Sequence, residues 1–121
     1  MKIVNYKEMD SIKNPHGVEV KKLHENDNVQ VMHMLLKANE CLKKHTTPVD
    51  VFFYVLEGEG IVEIGDEKIK VGKDMLIDSP KDIPHCLYNE GENDFRVLVV
   101  KTPKPNSELI KQAIKDIRLA L

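Results

Sequence analysis

Tryptophan is absent, and six aromatic side chains, three Tyr and three Phe, are scattered through 121 residues without a regular series. That spacing offers no stacking platform for single-stranded nucleic acid. Charge of one sign is also scarce: 18 basic residues against 20 acidic ones give a net charge of −2. Lys and Arg are interleaved with acids, the pattern of a solvated surface, so neither nucleic acid nor an anionic membrane is an expected partner. No apolar run approaches the length needed to span a bilayer, and the first residues, Met1-Lys2-Ile3-Val4-Asn5-Tyr6, have no apolar signal core. A cytoplasmic location is the expectation. Two cysteines, Cys41 and Cys86, make neither a disulfide framework nor a CxxC pair, and both are read as free thiols.

The chain instead carries many short β-forming runs. Hydrophobic residues make up 41% and charged residues 31%, a soluble globular balance at a length suited to one domain. Alternation and turn residues predict strands at 18–23, 29–36, 41–47, 51–56, 60–64, 68–71, 75–77, 85–89 and 95–101. Gly65-Asp66-Glu67 reads as a hairpin turn. Short strands at this spacing predict an all-β sandwich or barrel, with a core over about 16–102. The end of the chain differs. Asn106-Ser107 supplies N-cap chemistry, and Ile110, Ala113, Ile114, Ile117 and Leu121 recur at helical spacing, which predicts an amphipathic helix over about 106–120.

Two stretches carry the candidate chemistry. One runs from His45 through Thr46-Thr47-Pro48-Val49-Asp50 into the apolar run 51–56 and stops at Glu57-Gly58. The other, Asp78-Ser79-Pro80-Lys81-Asp82-Ile83-Pro84-His85-Cys86-Leu87-Tyr88-Asn89, follows about thirty residues later. Together they resemble the two signature motifs of the cupin superfamily. The first family motif is glycine, five residues, His-x-His, three or four residues, Glu, six residues, glycine. Anchored on Gly58, its first histidine falls on His45, its second on Thr47 and its glutamate on Val51. The second motif is glycine, five residues, Pro-x-Gly, two residues, His, three residues, Asn, and falls on Asp74, Pro80, Asp82, His85 and Asn89. Three family glycines are thus replaced by Asn39, Asp74 and Asp82, the residue types that best tolerate positive φ. The resemblance implies a double-stranded β-helix or jelly-roll barrel, here with the C-terminal amphipathic helix added, and a homodimer.

In metal-binding members of that family the two motif-one histidines, the glutamate and the motif-two histidine hold one divalent metal. This chain keeps His45 and His85, and Asp50 reaches the site only if the strand is irregular after Pro48. Cys41 shares strand parity with His45 and is a further conceivable ligand. His16, His24 and His33 match no motif position and are read as surface or packing residues. Strand alternation aims Thr47, Val51, Phe53, Val55, Leu87 and Asn89 into a small-molecule pocket beside the two histidines. Two readings stand side by side. One is a small-molecule-binding barrel with a degenerate metal site, holding one divalent Fe, Mn, Ni or Zn ion through two histidines or no metal at all. The other is a metal-dependent enzyme of dioxygenase or isomerase type. Metal-free chemistry with His85 as general acid or base would need a second titratable group inside, and the sequence shows none.

Overall fold

The computed structural model describes residues 1–106, so the helix expected over about 106–120 lies outside the described residues. A single 3₁₀ turn, Tyr6–Glu8, precedes nine strands: β1 (Glu19–Asn26), β2 (Val29–Leu36), β3 (Cys41–His45), β4 (Asp50–Glu57), β5 (Glu59–Ile64), β6 (Glu67–Gly72), β7 (Leu76–Ser79), β8 (His85–Tyr88) and β9 (Phe95–Thr102). They form a five-stranded sheet, β1-β2-β9-β4-β7, and a four-stranded sheet, β3-β8-β5-β6, all pairings antiparallel. This is the expected jelly-roll architecture. β1 runs three residues beyond its predicted end because Asn26 Oδ1 caps the turn itself, accepting from the amides of Asn28 and Val29.

Alternation explains the packing. β4 reads exposed-buried from Asp50, and its inward residues Val51, Phe53 and Val55 are buried while Tyr54 points out to Asp74. Pairing aligns the inner face of the large sheet in rows: Gln30, Lys101, Val51 and Ser79, then Met32, Val99, Phe53 and Ile77, then Met34, Val97 and Val55. The third row joins Phe95 of the same sheet and Leu87 and Val62 from the facing sheet in a buried core. Phe53 and Phe95 are fully buried, and each such side chain contributes about 1.5–3 kcal/mol. The first row, at one mouth of the sandwich, is polar.

The replaced glycines keep their backbone roles. Asn39, Asp74 and Asp82 adopt φ of 67°, 71° and 62°, so short polar residues hold the left-handed turns. Gly60 is constrained differently: a Cβ there would enter the Phe95 ring.

Candidate functional site

A cavity of about 240 Å³ opens at the polar mouth. Its walls are apolar: Ile12, Met32, Met34, Leu42, Phe53 and Val99 among them. Gln30, His16, His45, Thr47, His85 and Lys101 supply polar groups, with Lys13 and Asn14 of the segment before β1 also in the lining. The volume sits below the roughly 300–1,000 Å³ typical of small-molecule clefts, which limits an occupant to a small organic molecule.

β3 and β8 bring the two motif histidines together. His45 pairs with His85 across the strands, and their ring centroids are 4.7 Å apart, edge to face. A β-bulge between Leu42 and His45 makes this possible: Leu42 opposes Leu87 and His45 opposes His85, so that Lys43 and Lys44 on one strand stand against Cys86 alone on the other. The same bulge breaks the parity that linked Cys41 to His45. Cys41 is exposed, opposite Tyr88, and lies outside the cavity.

Hydrogen bonds assign the ring nitrogens. His45 Nδ1 lies 2.7 Å from the Lys43 carbonyl, which only accepts, so Nδ1 carries the proton and Nε2 keeps its lone pair. His85 Nδ1 bonds the Ser79 hydroxyl at 2.7 Å and its Nε2 bonds the Thr47 hydroxyl at 3.2 Å. Sequence reasoning missed His16. Its ring lies 5.0 Å from that of His45, and its Nδ1 accepts from the Lys43 amide at 2.9 Å, which leaves the proton on Nε2. No pattern flagged it, because it sits in an irregular segment before the first strand.

The electrostatics follow from burial. His16 and His85 are pushed down to about 3, first by burial and then by the charge of His45. His45 is also lowered by burial, against the opposing pull of its bond to the Lys43 carbonyl. All three are therefore neutral at physiological pH. Lys101 is lowered by burial alone. It too escaped the sequence reading, although a lysine at the inward parity of β9 is a legible signal.

The expected metal set does not assemble. Thr47 stands at the second motif histidine and occupies His85 Nε2; Val51 replaces the carboxylate and lines the wall. Asp50 is exposed at the start of a regular β4 and accepts from the Lys81 amide at 2.9 Å, so it faces away from His45 and His85. Among the described residues no group of three or more His, Cys, Asp or Glu side chains is placed to hold one metal ion. The donor set fits the hydrogen-bonding of a neutral cluster and does not fit a four-ligand metal.

The other candidates divide by depth. Thr47, Val51 and Phe53 line the cavity. Val55 and Leu87 lie in the packed core, both fully buried, and are not among its lining residues. Asn89 is a buried staple: its Nδ2 donates to the Leu36 and Asn93 carbonyls at 2.9 and 2.7 Å, and its Oδ1 accepts from the Gly91 amide at 3.0 Å. Of the remaining histidines, His33 is packed against Tyr6 with ring centroids 4.1 Å apart, and His24 contacts Asn26. No described helix is long and apolar enough to cross a membrane.

Comparison with known proteins places this geometry. Residues 32–101 match the Cupin domain family. The uncharacterised protein MJ1618 of Methanocaldococcus jannaschii is 33% identical over 67 residues, 55% of this chain and 53% of that one, so the match spans about half of each. The crystal structure of TT1209 from Thermus thermophilus superposes with a TM-score of 0.75 at 26% identity, covering 87% of this chain and 100% of that one. An RmlC-like cupin from Shewanella frigidimarina gives 0.78 at 12% identity, covering 89% and 96%.

Proposed function

The chain belongs to the Cupin domain family, and from that premise we propose that it is a small-molecule-binding barrel whose polar mouth works by hydrogen bonding and not through the family's four-ligand metal. One observation carries the reading: both ring nitrogens of His85 are already committed to Thr47 and Ser79 beside an apolar cavity. Neutral histidines with fixed tautomers present a donor, His16 Nε2–H, and an acceptor, His45 Nε2, in set positions. Proton transfer at neutral pH is served poorly by groups held near 3, since catalytic acids and bases work best with values near the operating pH. Binding is favoured over acid–base catalysis for that reason.

Native mass spectrometry of freshly purified protein, followed by extraction, tests the reading directly. The expected result is a small organic molecule released in amounts approaching one per chain. A fragment screen read on the methionine methyls is the companion measurement: binders should move Met32 and Met34 in the wall and leave exposed Met75 unmoved. A screen in which no fragment moves the wall methyls would overturn the proposal. Elemental analysis of untagged protein dialysed against iron, manganese, nickel and zinc tests the metal alternative. Well under one equivalent is expected; stoichiometric metal lost in both His45→Ala and His85→Ala would restore the metalloenzyme.

Under the same proposal the protein is cytoplasmic with Cys41 and Cys86 reduced, and two copies pair through exposed sheet edges.

A further inference from the structure

Lys101 is a cation set in the inward-facing polar row between Gln30 and Val51. It lines the cavity, and among the described lining residues there is no aspartate or glutamate. No ion pair or side-chain hydrogen bond joins the Lys101 ammonium to any described residue. Gln30, its neighbour across the strands, is turned to Glu25, whose carboxylate also pairs with Lys22 and Lys104. Lys101 lines the same cavity as His16, His45 and His85, and its charge helps to hold all three below their ordinary value. Those histidines are neutral and provide it no counter-charge. Lys101 is half-buried, and a cation partly withdrawn from water without a counter-charge among the described residues carries a cost that a ligand bringing negative charge recovers.

Val51 at the position of the family glutamate leaves no carboxylate there to balance Lys101. We propose that the lumen takes a small organic carboxylate, its anionic head against the Lys101 ammonium and the His16 Nε2–H, and its apolar body on Met32, Phe53 and Val99. The Lys101 ammonium flanked by neutral donors suits a carboxylate head, with the exposed Lys13 a second cation among the lining residues, and the apolar wall suits a hydrocarbon or aryl tail. This inference rests on the lumen-binding reading above and adds the chemical class of the ligand.

Matched acid and amide pairs test it on the full chain: phenylacetate against phenylacetamide, and hexanoate against hexanamide, titrated into methionine-methyl-labelled protein. The acids are expected to move Met32 and Met34 with dissociation constants about tenfold or more tighter than the amides, the scale of a charge-assisted contact. Lys101→Met should abolish that gap by weakening the acids, and Lys101→Arg should restore much of it. Acids and amides of equal affinity in the natural protein would overturn the inference while leaving the lumen as a binding site. Acid binding that survives Lys101→Met unchanged would also overturn it. If neither acids nor amides reach the wall methyls at their solubility limits, the lumen reading and the inference fall together. Phenyl phosphate binding more tightly than phenylacetate would replace the carboxylate with a phosphate.

Discussion

Asn89 and Thr47 show how one side chain changes role with its surroundings. Asn89 has the parity of a pocket residue, yet its amide is consumed by three backbone groups that tie the end of β2 to the turn after β8. Replacing it with Ala leaves two carbonyls and one amide without that partner in a buried setting. Asn89→Ala is expected to lower stability by about 2–4 kcal/mol, since each buried unsatisfied group costs about 1–3 kcal/mol and some are recovered by water. Urea denaturation measures this; a loss under about 1 kcal/mol, with the denaturant slope unchanged, would show the staple to be dispensable. Thr47 works the other way. Its hydroxyl stands in place of an imidazole and turns a potential metal ligand, His85, into one member of a neutral hydrogen-bonded chain.

At the scale of strands, the site depends on irregularities that alternation alone does not predict. The bulge in β3 sets His45 over His85 while turning Cys41 outward. The close approach of β5 to β9 depends on Gly60, whose missing Cβ makes room for the fully buried Phe95 ring. Gly60→Ala forces that ring or the β5 backbone to move. The expected penalty is about 1–3 kcal/mol or more, as for other overpacked cores, with a lower thermal midpoint by calorimetry. An unchanged midpoint would mean that Phe95 has a second place to go, which the packed third row does not offer.

For the whole molecule, the histidines link folding to pH. Folding holds His16 and His85 near 3 and His33 near 4, all below the ordinary 6.5, and lowers His45. Below about 6.5 the unfolded chain therefore binds more protons than the folded one, so stability falls as pH falls. The contribution is complete above that value and is lost progressively toward about 3, where the folded His16 and His85 also take up protons. Between pH 7 and pH 5, His85 alone accounts for up to about 2 kcal/mol. Denaturant midpoints across this range should decline, and less steeply in His85→Gln. A flat profile would contradict the neutral cluster. Association is the other whole-molecule property: light scattering is expected to give the mass of a dimer, and a clean monomer at micromolar concentration would overturn the proposed pairing.

The sequence by itself determined the architecture, because period-two alternation and turn chemistry are local and strong. It placed β2 residue for residue, and it placed Asn39, Asp74 and Asp82 at turns that proved to have positive φ. It also marked His45 and His85 at motif positions and Thr47 and Val51 where the family has ligands, since residue identity is written in the sequence, while the meeting of the two histidines is a finding of the structure. Only the tertiary structure decided the cavity's chemistry. His16 enters from an irregular segment whose path no periodicity encodes. The depth of each row, which separates Val51 and Phe53 from Val55, is a property of how two sheets close. Lys101 faces a lumen whose described lining holds no carboxylate, a fact about the strands that close around it and not about any one of them. Identity and alternation are local, whereas the charge and volume of a lumen belong to the closed barrel.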